Sequence, residues 1–394
     1  VTYGRSETLP VSVLQSLDFE GRSAFAQVRV EGPRWDAQAS VRASRFDIYP
    51  MEIGFVDPIE NLQTRTAYAT AQRTLSLPLG NTLVVGTDLR SLSMRSDLQV
   101  ERDDFSWALF VQDKWELGSR WIANVGLRYD DHPLVDEEFS ARASLVARVV
   151  DGHSLSAVVG NAFLTPSLIE NSVRFSGEVV AGVPITFQGD ETIDPERIRS
   201  AEIGWRARWR EGFDTTVTAY THRVDDVIEF AVMEFHGSPP APFPGIPART
   251  QFVNGGAYEV RGLETSWQFR RGSTLRVHGS YGFTDATGEG QSVAHVPRHR
   301  FGLGVVVRPS DLWRSSLRLH ASSESDWASI DAFSLGESIG TAGDYVDVDL
   351  EVVRSLSTLD LAVGVRNVFG QDVHDHPLSW CQEREVYVGL STGR

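Results

Sequence analysis

What most limits how this chain can fold is an alternation of period two that recurs along most of its length. In RWIANVGLRYDD at 120–131, Trp121, Ala123, Val125, Leu127 and Tyr129 share one parity, and Asn124, Gly126, Arg128 and Asp130 the other. A helix would group residues three and four apart and so mix Trp121 with Asn124. The segment is therefore predicted to be a strand with one apolar and one polar face. The same pattern marks 201–210, where Trp205 and Trp209 oppose Arg206 and Arg208, and 275–283, where Val277 and Tyr281 oppose Arg276 and His278. It returns at 313–320 and at 359–366.

The connections carry a second pattern. Eight are short and turn-like, from EGPR at 31–34 and PLGN at 78–81 to PSDL at 309–312 and SLST at 355–358. Gly, Asn, Asp and Pro there supply the backbone angles of tight hairpins. Between them lie mostly longer stretches, at 47–61, 130–139, 163–196, 231–250, 285–297, 322–343 and 370–384. Short turns on one rim and long loops on the other describe an up-and-down meander. Eight hairpins give sixteen strands, REVYVGL at 384–390 adds another, and residues 11–19 have room for one more. No repeat of propeller length is present.

Periodicity alone leaves two solvents open. In a sandwich the apolar face meets a core, and in an outer-membrane barrel it meets lipid. Three features favour the barrel. Aromatics sit near strand ends, as with Trp121, Tyr129, Trp205, Trp209 and Trp313, which are expected to form lipid-facing girdles. The polar face is rich in arginine. Short and long connections take turns. The fold class expected is all-β, an antiparallel up-and-down transmembrane β-barrel with about 17–18 strands, short periplasmic turns and long extracellular loops. Trp121 to Tyr129 spans about 26 Å of strand, which suits two opposite girdles. On that reading Val125→Arg impairs assembly and Asn124→Arg does not. The lumen is expected to receive Arg128, Arg206, Arg208, Arg276, Arg300, Arg318 and Arg366, together with the acidic row Asp347, Asp349 and Glu351.

Composition removes other classes. The net charge of −16 argues against a nucleic-acid partner, and no apolar run is long enough for a transmembrane helix. Lys114 is the only lysine, and Cys381 the only cysteine, so no disulfide forms within the chain. No catalytic motif is present, so no enzyme and no cofactor are expected.

Six segments together resemble the C-terminal barrel of TonB-dependent outer-membrane receptors. They are WALFVQDKWELGSRWIANVGLRYDDHP at 107–133, NAFLTPSLIENSVRFS at 161–176, DPERIRSAEIGWRARW at 194–209, FVNGGAYEVRGLETSW at 252–267, VPRHRFGLGVVVRP at 296–309 and VDLEVVRSLSTLDLAVGVRNVFGQ at 348–371. The resemblance implies a barrel of about 22 strands filled by an N-terminal plug. It also implies a Gram-negative outer-membrane location and uptake of a scarce nutrient (a siderophore, cobalamin or a glycan) driven by a TonB-type partner. Residues 1–394 are then expected to be barrel, with the plug and first strands lying upstream. The chain departs from the family in ending on Arg394 and not on an aromatic.

Candidate ligand contacts lie in the predicted outer loops. Phe235 and Phe243 belong to a Pro-rich stretch around GSPPAPFPGIP, His374 and His376 form an HDH triplet in the loop that also holds Cys381, and His295 and His299 sit in another. Imidazole is a good transition-metal ligand, but the spacing matches no defined site and no metal is expected. The acidic loop clusters, such as Asp130, Asp131, Asp136, Glu137 and Glu138, read either as a cation-attracting mouth or as ordinary solvated loop. Two further readings stay open: a passive porin-like channel and a secreted soluble β-rich binding protein.

Overall fold

Among the described residues, eighteen strands form one antiparallel meander. They are β1 (Thr2–Ser12), β2 (Gln15–Gly32), β3 (Trp35–Met51), β4 (Ile59–Leu77), β5 (Asn81–Ser96) and β6 (Val100–Leu117). Next come β7 (Trp121–His132), β8 (Val135–Val150), β9 (His153–Leu164), β10 (Glu196–Arg210), β11 (Phe213–Asp225) and β12 (Tyr258–Arg271). The last six are β13 (Leu275–Gly288), β14 (His299–Ser310), β15 (Trp313–Ser322), β16 (Tyr345–Leu356), β17 (Leu359–Arg366) and β18 (Glu385–Thr392). Each pairs with the next, and the two-residue strand Gln291–Ser292 extends β13, which brings the sheet to 19. The computed structural model describes all residues except 1, 13–14, 52–58, 97–99, 181–182, 237–246, 289–290, 293–295, 329–337, 357, 372, 374–382 and 393–394. Among the described residues no pairing joins β1 to β18.

All eight short turns fall between strands of this meander. Two depend on a left-handed glycine whose neighbour leaves no room for a side chain. At Gly212, φ is +80° and a Cβ would collide with the Arg270 carbonyl oxygen. At Gly152, φ is +78° and a Cβ would lie 2.7 Å from the Arg208 carbonyl oxygen. The carbonyls of both glycines accept the amide of that same arginine at 2.7 Å, which ties each turn to the adjacent hairpin.

The wall is one layer thick, so its apolar side chains have no core to enter. Register places Trp121, Ala123, Val125 and Leu127 of β7 against Ala147, Leu145, Ala143 and Ala141 of β8 on one face. That apolar face continues through Val159 of β9, Ile203 of β10 and Ala219 of β11. Many of its large side chains are exposed, as lipid solvation requires. Among the described residues no helix is long and apolar enough to cross a membrane; the crossing elements here are strands.

Three differences from the sequence reading stand out. The stretch 130–139 is not a long loop, because β7 runs to His132 and β8 starts at Val135. Its acidic run is tolerated in strand because Arg128 binds Asp130 at 2.8 Å and Arg197 binds Glu138 at 2.8 Å. The strand expected within 11–19 is instead Thr2–Ser12 followed directly by β2. The loops themselves hold ordered pieces: Arg174–Val180, Val183–Gln188, Ile228–Phe235, Pro247–Asn254, and the hairpin Ser325–Ala328 with Ser338–Ala342.

Candidate functional site

The site is the long-loop end of the wall, where two connections fold together. The β9–β10 connection begins with SLIE at 167–170. Its Ser167 caps the short helix α1 (Leu168–Ser172): the Ser167 hydroxyl accepts the Glu170 amide at 3.2 Å, and the Glu170 carboxylate accepts the Ser167 amide at 2.6 Å. A Ser-x-x-Glu box of this kind satisfies two otherwise orphaned helix donors. It was legible in the sequence and is the signal that would have located the helix.

α1 is too short to stand alone, and packing holds it. Leu168 and Val173 bury against Met94 of β5 and Leu134, with Leu62, Leu92, Val135 and Phe187 around them. Arg102 of β6 reaches the same spot, giving bonds of 2.7 Å to the Asn171 side-chain oxygen and 2.8 Å to the Ser172 hydroxyl, while its Nε binds Asp104 at 2.8 Å. Asn171 is buried. Leu92, Met94, Arg102 and His132 all have the parity opposite to the apolar face, so α1 lies on the inward side of the rim. Periodicity in the wall strands did not point to Arg102 or Asn171 as partners.

Beyond α1, Arg174–Val180 and Val183–Gln188 form a hairpin. Val183–Gln188 then pairs in parallel with Pro247–Asn254 from the β11–β12 connection, matching Phe187 to Thr250, and Pro247–Asn254 pairs with Ile228–Phe235. Two loops thus share one four-stranded sheet. Phe187 meets Phe252 edge to face at 5.6 Å, Gln188 donates to Gln251 at 3.0 Å, and Asn254 bridges the Asp194 and Asp226 carbonyls at 2.9 and 2.8 Å.

Asp190 locks the junction. Its carboxylate accepts the Thr192 hydroxyl at 2.6 Å, the Thr192 amide at 2.8 Å and the Gln251 amide at 3.0 Å. These bonds, the Thr192 hydroxyl first, hold the Asp190 carboxyl below its ordinary range. A lowered folded-state value stabilises the junction above the unfolded range and loses that contribution as pH falls through the lowered value. Protection of the amides at 188–192 and 249–252, taken relative to their intrinsic exchange rates at each pH, should accordingly hold from neutral pH to about pH 5 and fall as pH drops below about 4. Equal protection in wild type and Asp190→Asn across that range would refute the lock.

The residues singled out by sequence reasoning are distributed as follows. Phe243, His295, His374, His376 and Cys381 lie outside the described residues. Phe235 ends the outermost strand of the two-loop sheet and is 54 % exposed. His299 opens β14 on the apolar face, with its Nδ1 2.9 Å from the Tyr281 hydroxyl and its ring 5.4 Å from that of Phe283. Among the described residues no group of three His, Cys, Asp or Glu could hold a metal ion.

Register puts Arg128, Arg206, Arg208, Arg276, Arg300, Arg318, Arg366, Asp347, Asp349 and Glu351 on the inward face. Several are matched there. Arg128 bridges Asp88 and Asp130, Arg208 binds Asp214 at 3.1 Å, Arg318 binds Asp349 at 3.7 Å and Arg366 binds Glu385 at 2.7 Å. Glu351 takes Arg314 at 3.4 Å and the Tyr387 hydroxyl at 3.0 Å. The side chains of Arg206, Arg276 and Arg300 have no hydrogen bond or ion pair among the described residues. Arg276 lines an inward hollow of about 370 Å³ with Arg270, Arg308, Arg314 and Arg318. On the outward face, Trp121, Trp205, Trp209 and Trp313 gather near the short turns. There Trp205 meets Trp209 edge to face at 5.3 Å, and the Arg354 guanidinium covers Trp313 at 5.2 Å. Tyr129 sits at the other end of β7, its ring 5.6 Å from Trp107.

A family model described as TonB dependent receptor-like, β-barrel, matches residues 59–368. The chain belongs to this family. TonB-dependent receptors reside in the bacterial outer membrane, and so does this chain. A relative, an iron-regulated outer membrane virulence protein of Vibrio cholerae, is 22 % identical over 299 residues; the match covers 72 % of this chain and 44 % of the relative. The chain thus spans under half of that relative's length. Among solved structures, the siderophore receptor of Acinetobacter baumannii has a TM-score of 0.74 at 14 % identity and covers 96 % of this chain and 62 % of that one. A ferric enterobactin receptor mutant of Pseudomonas aeruginosa has a TM-score of 0.68 at 15 % identity, with 92 % and 63 % covered. The family is one of transport receptors.

Proposed function

We propose that residues 1–394 form the barrel of a receptor that captures a ferric chelate of the siderophore class at the mouth and imports it with TonB coupling. The observation that carries this reading is the mouth itself. Two interlocked loops and α1 fold inward over a wall on which the Arg206, Arg276 and Arg300 side chains have no ion pair among the described residues. Unmatched guanidinium groups facing a confined lumen favour anionic cargo, or an acidic plug surface, over cations. The relatives are an iron-regulated outer membrane protein and siderophore receptors, which supports the ligand class. A plug domain and a TonB-type motor are the partners this reading requires.

Growth and radioactive-iron uptake from a panel of ferric siderophores test the proposal in a strain whose only outer-membrane iron receptor is the full-length protein. Uptake of at least one ferric siderophore should occur and should vanish when the motor is deleted. Uptake that survives motor deletion would point to a passive channel. Rescue by cobalamin or a glycan, with no ferric chelate taken up, would overturn the ligand class.

A further inference from the structure

We propose that the hollow on the inward face of β12–β16, beside two adjacent short turns, is a site for a soluble oxyanion, a phosphate or carboxylate group, at that end of the lumen. The hollow, of about 370 Å³, is walled by Arg270, Arg276, Arg308, Arg314 and Arg318, with Glu351 the one acid in its lining among the described residues. Its size is that of a small-molecule site. Register explains its shape. The inward row Arg276, Val306, Ser316 and Glu351 crosses it strand by strand. Val306 and Ser316 are short and form a floor. Arg270 stands opposite Arg276 on one side, and Arg308 and Arg314 flank the turn at 309–312 on the other.

Charge and pairing agree. Arg270 and Arg276 are direct cross-strand partners, a like-charge pairing that is unfavourable without an anion nearby. The side chains of Arg270, Arg276 and Arg308 have no hydrogen bond or ion pair among the described residues. Arg314 and Arg318 make only long contacts, 3.4 Å to Glu351 and 3.7 Å to Asp349. Along the same inner rim, other basic groups are held closely: Arg29 by Glu31 and Asp36 at 2.7 and 2.9 Å, Lys114 by Glu116 at 2.7 Å, and Arg208 by Asp214 at 3.1 Å. A cleft lined by one sign of charge focuses the field and concentrates counter-ions. The forked, planar guanidinium gives phosphate or carboxylate two parallel bonds per group. All five arginines are exposed, so a dissolved anion reaches them from the lumen.

Such a site rests on the lumen of the proposed receptor, and not on which ligand is imported. Binding is read without transport, so a failed uptake panel leaves the site standing and absent binding overturns the site alone. Isothermal titration calorimetry of the full-length receptor in detergent tests it, with inorganic phosphate, pyrophosphate and chloride as probes. Pyrophosphate, which offers more oxygens to the five guanidinium groups, should bind about tenfold or more tighter than phosphate, and an equal concentration of chloride should not displace it. Arg276→Ala with Arg308→Ala should weaken pyrophosphate binding about tenfold or more, the loss expected when charged hydrogen bonds disappear. Arg276→Lys with Arg308→Lys keeps the charge but not the fork and should weaken it as well, while Arg29→Ala should not. No binding by the full-length receptor, the result if an acidic side chain of the plug already fills the hollow, would overturn the proposal. So would displacement by equal chloride, or unchanged binding in the Arg276/Arg308 alanine variant. Should that variant fail to assemble, the lysine variant and the three probes on the unmodified protein still decide it.

Discussion

An Ile203→Arg variant should fail to accumulate in the outer membrane. Ile203 is 67 % exposed in the middle of the apolar row of β10, and its cross-strand partners are Ala157 and Ala219, which offer no counter-charge. Arginine at the midplane of a barrel's lipid face costs about 2–4 kcal/mol, a large part of the stability of any fold. Glu202, the adjacent residue, faces inward between Val158 and Tyr220, and Glu202→Arg should assemble normally. The heat-modifiable shift of folded barrels on gels, read on membrane fractions, distinguishes the two. Normal assembly of Ile203→Arg would mean the outward face does not meet lipid. Val125→Arg is a weaker probe than the sequence implied, because the register sets Asp113 directly across from Val125, where it can meet the new charge.

The second large effect is expected at the rim. Arg102→Ala removes the bonds to Asn171 and Ser172 and leaves the buried Asn171 without its charged partner. Losing hydrogen bonds from a charged group costs about 1.5–3 kcal/mol, even though the Asn171 oxygen keeps the Ser172 hydroxyl at 2.7 Å. That loss falls on a five-residue helix which contributes little order of its own. Hydrogen exchange should therefore quicken through 167–173 and into 183–188, which joins the second loop, while β7 and β8 keep their protection. Ligand capture should weaken with it if the two-loop sheet forms the binding mouth. Leu168→Ala, which removes apolar packing at the same place, should produce the same regional pattern. Unaltered exchange in 167–173 for Arg102→Ala would show that packing alone holds α1.

How much of the wall was legible follows from its chemistry. Each strand must satisfy two solvents at once, so every second side chain declares its face, and each tight turn needs a residue such as Gly152 or Gly212 that tolerates left-handed backbone. Those rules are local, and they located the short turns and the meander. They misread 130–139, because Asp130, Asp131, Glu137 and Glu138 look like loop unless one knows that Arg128 and Arg197 stand beside Asp130 and Glu138.

The mouth obeys no local rule. The parallel pairing of Thr186 with Arg249 joins residues from different loops, and nothing in either stretch names its partner. The Ser167–Glu170 box marks a helix start, yet only packing on Met94 and Leu134 and the clamp from Arg102 decide where that helix lies. By itself, then, the sequence determined a lipid-crossing meander with one greasy and one charged face, because alternation is written residue by residue. The tertiary structure alone decided which loops interlock and which inward arginines find acids, because those pairings depend on the register between strands and on contacts between separate loops, which no single stretch of sequence specifies.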